Sequence, residues 1–335
     1  METIKWAINA TGNIAHRFAE GMQCAEGSEI TAIYSTGLDR AKAFAEEFGL
    51  DGCECYDDFE AMLSQGGFDA VYICTPNHMH YENSMQCLKH GVNVLCEKPM
   101  ADTLEQTREL LAAAEEADVF LLEGMWTRFF PAVKKVRAWL KEGKIGRTKT
   151  VFASFGTDQR GLPSQWRYSS KASGGALRDV GIYPIAFSYL VFGKQDDWTS
   201  NCMLNEAGID IYNNLMLRYD NDKAAFITSS LVSTSPYDVR IVGTEGQIIV
   251  YPDFWRPAKA ELFKADGSVL GLDSVEVFEE EYLGSGFEFE IMAFADCLRE
   301  NKKDAEEYTH TEMLQIAELM EEIRKSWGIT YESDE

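Results

Sequence analysis

Ile4-Lys-Trp-Ala-Ile-Asn-Ala-Thr-Gly12-Asn-Ile-Ala15 is the stretch that decides the fold. It starts as a short apolar run from Ile4 to Ala10, the pattern of a buried strand. A turn of small residues follows, and Ile14, Phe18 and Met22 then recur at helical spacing. Strand, tight turn and helix in that order make the first half of a βαβ unit. The alternation continues outward. Ile30 to Ser35 reads as a second strand, followed by a helix from about Asp39 to Phe48. Ala70 to Thr75 is a third strand, with a helix from about His80 to His90. Val92 to Cys96 and Val119 to Leu122 are further strands. Between them Thr103-Leu-Glu-Gln106 has the form of a capping box and opens a helix with Leu104, Thr107, Leu111 and Ala114 on one face. This pattern predicts an α/β fold, a doubly wound parallel sheet.

From about residue 147 the character changes. Strand-like runs follow one another at Thr148–Phe155, Ile209–Leu217, Ala224–Ser230, Val239–Val242 and Gln247–Tyr251. Turn signals such as Tyr219-Asp-Asn-Asp222 and Ala265-Asp-Gly267 separate them. Met313, Ile316, Met320 and Ile323 mark an amphipathic helix near the end. The expectation is a dinucleotide-binding domain over 1–123 and an α+β domain over 124–335, built on a large, open, mostly antiparallel sheet. Such a sheet needs both faces covered, and residues 200–285 show few helical patterns. A second copy of the chain is the expected cover, giving a homodimer or a dimer of dimers.

The 335 residues allow two domains at about 150 residues each. A hydrophobic share of 45% with 26% charged residues excludes a disordered chain and a small disulfide scaffold. The net charge is 31 − 55 = −24, which repels phosphate backbones and anionic membranes and argues against nucleic acid or membrane as partners. No basic and apolar signal precedes the first strand, and no apolar run approaches the roughly 18–20 residues of a membrane helix. The expected location is cytoplasmic. The eight cysteines show no paired CxxC spacing and read as reduced thiols, with no metal site expected.

The first turn, Ala10-Thr-Gly12-Asn-Ile-Ala15, approximates the dinucleotide fingerprint GxGxxG/A. Gly12 lets the backbone approach a pyrophosphate, and Ala15 lets helix pack closely on strand. Thr11, Asn13 and Ile14 complete the loop, whose helix N-terminus offers N–H groups to phosphate oxygens. Ala10 stands where the first glycine belongs, so a plain tight turn is the competing reading. The second strand ends in Tyr34-Ser-Thr-Gly37, with no carboxylate to hold ribose hydroxyls or repel a 2′-phosphate. NADP is therefore expected over NAD. Ser35 and Thr36 are candidate donors to that phosphate, and Arg40 is either a further one or a solvated helix residue.

Two more segments carry a resemblance. Ile73-Cys-Thr-Pro-Asn-His-Met-His80 follows the third strand and Cys96-Glu-Lys-Pro-Met100 the fourth. With the fingerprint they resemble the Gfo/Idh/MocA oxidoreductases. Glu123-Gly-Met-Trp-Thr-Arg-Phe-Phe-Pro131, Gly174-Gly-Ala-Leu-Arg-Asp-Val-Gly-Ile-Tyr183 and Val242-Gly-Thr-Glu-Gly246 are similar to the family's dimeric dihydrodiol dehydrogenase and NADP-dependent D-xylose dehydrogenase branch. The resemblance implies a Rossmann domain followed by a domain with a large open sheet. It implies hydride transfer between NADP, or NAD, and a sugar, polyol or cyclic diol. It places Lys98 beside the nicotinamide and makes Tyr183 and Asp179 its catalytic companions. Cys74, Thr75, Pro76, Asn77, His80, Glu97, Trp166 and Arg167 become cofactor-side residues, and His78 stays on the surface. Trp126, Phe129 and Phe155 become an apolar wall for substrate, though clustered aromatics are also ordinary core.

These residue types suit the chemistry. Oxidising an alcohol needs a hydride acceptor, a base for the hydroxyl proton and a group to hold the oxygen. A free phenol has a pKa near ~10, too high for an efficient base. A neighbouring ammonium lowers it, or instead stabilises charge on the substrate oxygen directly. The sequence leaves both arrangements open for Lys98. Asp179 and Tyr183, four apart, share a face if both lie on an α-helix. Two rival readings stand beside the enzyme: a nucleotide-binding sensor without turnover, and a lyase or hydrolase that uses bound cofactor for transient oxidation.

Overall fold

The computed structural model describes residues 2–334 except 163–166, 168–173, 221 and 269–270. The first sheet contains β1 (Ile4–Asn9), β2 (Ser28–Tyr34), β3 (Glu54–Tyr56), β4 (Ala70–Ile73), β5 (Asn93–Glu97) and β6 (Leu121–Gly124). Their order is β3-β2-β1-β4-β5-β6, and every pairing is parallel. The winding reverses beside β1, so the carboxyl ends of β1 and β4 flank the crevice where such sheets bind ligands. All of β4 is buried and all of β1 but Lys5, as a sheet covered on both faces requires.

The interleaved helices are α1 (Asn13–Met22), α2 (Leu38–Glu47), α3 (Phe59–Gln65), α4 (His80–Lys89) and α5 (Leu104–Glu116). Leu88 of α4 and Leu110 of α5 share one core with Val71, Ile73 and Val94. Thr103 caps α5 as expected, its Oγ1 accepting the Gln106 N–H at 3.2 Å, while Gln106 Oε1 reaches back to the N–H of Asp102, one residue before the cap, at 3.1 Å.

Two compact units divide the chain. One is Met1–Trp126 with Tyr282–Leu314, and the other is Thr127–Glu281 with Gln315–Glu335. The sequence reading drew one boundary after residue 123. The segment returning to the first unit carries a helix, α8 (Phe287–Arg299), whose Phe294 ring lies 4.8 Å from Trp6 and 4.9 Å from Phe120. Aromatic contact with the first sheet is what holds it there.

The second unit has an eight-stranded sheet: β7 (Thr148–Gly156), β8 (Asp197–Leu204), β9 (Asp210–Tyr219), β10 (Lys223–Ser230), β11 (Val239–Gly243), β12 (Gly246–Val250), β13 (Lys259–Ala265) and β14 (Leu272–Glu279). The order is β14-β13-β12-β11-β7-β10-β9-β8, parallel at β7–β10 and antiparallel elsewhere. α6 (Pro131–Lys141) and α7 (Ile182–Phe192) pack on it, and α9 (His310–Ser326) closes the chain. Every residue of α7 from Ile182 to Tyr189 is buried, which fits a helix that is apolar all round. Phe152 and Phe226, paired in register, stack 5.4 Å apart yet stay 47% and 42% exposed. Among the described residues no helix is long and apolar enough to cross a membrane.

Candidate functional site

In the first unit the candidate loops all leave the carboxyl ends of parallel strands. Ala10 has φ +130°, and its N–H reaches Tyr34 O at 3.1 Å. Glycine takes such a backbone freely; another residue holds it at a cost of about 1–3 kcal/mol. The position is thus glycine-like in shape although alanine occupies it. Gly12 has φ −81°, open to any residue, but a Cβ there would meet no protein atom within 4 Å. The following helix α1 starts with no side-chain cap and no acid in its first turn. Its first amides lack helical acceptors and its dipole favours an anion. An open cradle before an uncapped helix fits a dinucleotide's diphosphate.

The residues after β2 separate into two roles. Ser35 is buried, its hydroxyl 3.0 Å from Thr11 Oγ1, so it braces the fingerprint loop from inside. Thr36 and Arg40 are exposed together, with the guanidinium donating to Thr36 Oγ1. A cation and a hydroxyl at this strand end suit a 2′-phosphate. Asn13 is exposed and Ile14 half-buried.

The Thr75–His80 and Glu97–Met100 loops are tied together by His80. Its buried ring lies between Thr75 O and Pro99 O, 2.8 Å from each. Burial lowers the His80 pKa despite those carbonyls. This makes His80 a brace between two site loops, not a group turned outward. Asn83 Nδ2 donates to Thr75 Oγ1 at 3.1 Å. Cys74 is buried with its thiol toward Asn9 O at 3.5 Å, and burial pushes its pKa up. Pro76 and His78 are exposed, Asn77 half-buried.

Glu97, placed on the cofactor side by resemblance, turns inward and accepts from Tyr72 Oη at 2.6 Å. Glu123 accepts the Met100 N–H at 2.8 Å and Tyr308 Oη at 2.6 Å. Burial raises both carboxyls, with the Lys98 charge acting against the rise. Glu290 of α8 is buried with neither oxygen hydrogen-bonded; burial, then Glu97 and Glu123, hold it well above the usual carboxylate range. Lys98 is half-buried directly after β5. The sequence reading missed Tyr72, Tyr308 and Glu290, which act on the buried Glu97 and Glu123. It also missed Asn9, buried at the end of β1 with no partner for either end of its amide.

In the second unit the segment Leu177–Gly181 is a π-turn leading into α7. Asp179 lies in that turn and Tyr183 on α7, so the α-helical spacing expected between them does not apply. Such π segments recur at functional sites. Asp179 Oδ2 pairs with Arg167 Nε at 2.9 Å. Trp166 lies outside the described residues.

Tyr183 is 9% exposed, its ring 5.6 Å from Phe155. Phe155 stacks on Trp255 at 3.9 Å, and Tyr237 stands edge-on to Trp255 at 4.9 Å. Trp255 and Tyr237 join the aromatic cluster around Phe155, and neither carried a sequence signal. Of the three wall residues anticipated, Phe155 lies beside Tyr183. Trp126 packs on Phe287 at 4.6 Å with Arg17 over its ring, and Phe129 is core. Among the described residues no group of three or more His, Cys, Asp or Glu is placed to hold a metal.

Comparison with known proteins follows the same lines. Residues 4–125 match the model of the Gfo/Idh/MocA oxidoreductase family, NAD-binding Rossmann fold, and residues 133–249 that of the Gfo/Idh/MocA C-terminal domain. The scyllo-inositol 2-dehydrogenase (NADP(+)) IolU of Bacillus subtilis (strain 168) is 31% identical, covering 99% of each chain. The trans-1,2-dihydrobenzene-1,2-diol dehydrogenase of Xenopus laevis is 30% identical over 98% of this chain and 99% of its own. Among solved structures, KijD10, a 3-ketoreductase from Actinomadura kijaniata in complex with NADP and TDP-benzene, superposes with a TM-score of 0.85 at 25% identity, covering 97% of this chain and 98% of that one.

Proposed function

We propose a reaction and its residues from the premise that this chain belongs to the Gfo/Idh/MocA oxidoreductase family. It is an NADP-dependent oxidoreductase that moves hydride between the nicotinamide and a carbon bearing a hydroxyl or carbonyl, in a sugar, polyol or cyclic diol. The observation that carries the cofactor is the open cradle at Gly12 before the uncapped α1. Ala10, Thr11, Gly12, Asn13 and Ile14 hold the diphosphate, Thr36 and Arg40 the 2′-phosphate. Ser35 braces that first loop from inside, and Cys74, Thr75, Pro76 and Asn77 form the next loop, which His80 braces. NADP, when bound, supplies the hydride acceptor or donor.

The remaining chemistry belongs to side chains. Tyr183 takes the hydroxyl proton during oxidation and returns it during reduction. The Lys98 ammonium favours the phenolate or the developing alkoxide, since a positive charge stabilises either anion. Asp179, held by Arg167, orients the hydroxyls of the substrate. Phe155 and Trp255 offer flat apolar faces to ring C–H groups. We further propose that the open face around Phe152 and Phe226 is covered by a second copy, giving a homodimer in the cytoplasm.

The test is a panel of scyllo-inositol, trans-1,2-dihydrobenzene-1,2-diol and D-xylose with NADP+, followed by absorbance of the reduced nicotinamide. Turnover of at least one is expected. Lys98→Ala should cut kcat by about 10²–10⁴-fold while NADP still binds, and Tyr183→Phe by a similar factor. NADP binding without turnover of any alcohol or carbonyl would favour the sensor instead. Full activity in both variants would remove the catalytic assignment.

A further inference from the structure

Asp210 opens β9 and is almost completely buried, 3% exposed. Its Oδ2 accepts the Leu177 N–H at 2.7 Å and Asn213 Nδ2 at 3.1 Å. Its Oδ1 lies where a side chain on Gly175 would stand: a Cβ there would come within 2.5 Å of it. Gly175 also has φ +120°, a backbone that other residues rarely adopt. The turn from Gly174 to Leu177 is therefore shaped around this carboxylate. From that turn Gly175 O accepts the Asp179 N–H at 3.0 Å, and the chain runs on through the π-turn to Tyr183. Arg167 closes the arrangement, its carbonyl taking the Gly175 N–H at 3.0 Å and its guanidinium holding Asp179.

We propose that Asp210 is a positioning residue for the reaction: through the Gly174–Leu177 turn its carboxylate sets where Asp179 and Tyr183 stand, while it touches neither substrate nor cofactor itself. The inference rests on the roles given above to Asp179 and Tyr183. It adds a residue that no motif in the sequence contains.

The same carboxylate gives the site a pH response. Burial raises Asp210 to about 6, against the lowering effects of the Leu177 N–H, the Asn213 amide and the Arg178 charge. The groups that face it are Arg178 from the π-turn, Cys202 on β8 and Tyr331 from the C-terminal segment, which lines the same small cavity. Once protonated, Asp210 is a weaker acceptor for the Leu177 N–H. The turn loosens, and turnover falls as the pH drops through about 6.

Asp210→Asn in the 335-residue chain tests this, because the amide keeps the shape and removes the charge. NADP affinity, read by fluorescence, should stay within about twofold, while kcat falls about 10–100-fold for whichever of scyllo-inositol or the trans-dihydrodiol is turned over. Amides of Leu177–Tyr183 should exchange hydrogen about tenfold faster than in the parent. Asn213→Ala removes one donor to the carboxylate, so the acid limb of kcat should move to higher pH with the fold retained. If Asp210→Asn fails to fold, Asn213→Ala alone decides, and an unmoved limb overturns the proposal. Unchanged exchange in Asp210→Asn overturns the anchor. Faster exchange with unchanged kcat overturns its link to the reaction. Exchange is read without substrate, so it stands apart from Tyr183→Phe, whose full activity would sink the catalytic assignment instead.

Discussion

Nothing in the chain objects to a side chain at Gly12, so only something outside the protein can. Gly12→Asp separates the two. Aspartate is a favoured N-cap before an uncapped helix, and stability should rise by about 0.5–1 kcal/mol. The same carboxylate would face the diphosphate, and NADP affinity should fall at least about tenfold. Thermal melting with NADP titration reads both, and unchanged affinity would move the phosphate site elsewhere. A second residue-level prediction concerns Glu290. Burial beside Glu97 and Glu123 raises its folded pKa far above the ordinary 4.5, so the folded chain keeps a proton that the unfolded chain sheds above that pH. Unfolding then releases a proton, and this group's contribution to stability falls as the pH rises past about 4.5. Glu290→Gln stays neutral at every pH. It should remove that slope and be more stable than the parent at pH 8. Denaturant melts at pH 5 and pH 8 decide it; parallel slopes for the two proteins would mean Glu290 is ionised in the fold.

The element that most changes the picture is α8. Phe294 lies against Trp6 and Phe120, and Phe287 against Trp126 and Phe18. Phe294→Ala empties a fully buried site and should cost about 3–5 kcal/mol. Chemical denaturation should show the loss, and a cost below about 1 kcal/mol would mean that the helix only rests on the sheet. This element also marks how far a sequence can be read. Strands β1, β4 and β5 were readable because burial on both faces demands nearly continuous apolar runs, and β2 because Ile30, Ala32 and Ile33 are its buried apolar core. β8 and β14 were not, because they are the edges of their sheet and mostly exposed, and no alternation is forced on them. α8 has helical periodicity, but its partners stand at positions 6, 120 and 126, and no local pattern names them. The proposed site residues divide in the same way. Gly12, Lys98 and Tyr183 sit in local motifs, whereas Tyr237 and Trp255 lie in connections between strands and Asp210 at a strand start that no motif marks. Ala10 lies between the two cases: its letter broke the fingerprint while its backbone keeps the glycine shape.

Association is the property of the whole molecule that its surface predicts. Phe152 and Phe226 lie side by side on a sheet face where a monomer would keep two stacked rings in water. Contiguous exposed aromatic surface of this kind marks a protein interface. A net charge of −24 works against pairing identical copies, since like charges repel across any contact. The two terms respond differently to salt. Raising ionic strength from about 0.05 to 0.5 M shortens the Debye length from about 14 to 4 Å, which screens the repulsion and leaves apolar burial in place. Dimerisation should therefore tighten with salt, and sedimentation velocity at micromolar concentration should show the dimer. Phe226→Asp places a charge at the centre of the patch without disturbing a buried residue, so it should leave the melting temperature of the protomer nearly unchanged and yield monomer. A parent chain that sediments as a monomer at high salt would show that these rings meet something other than a second copy.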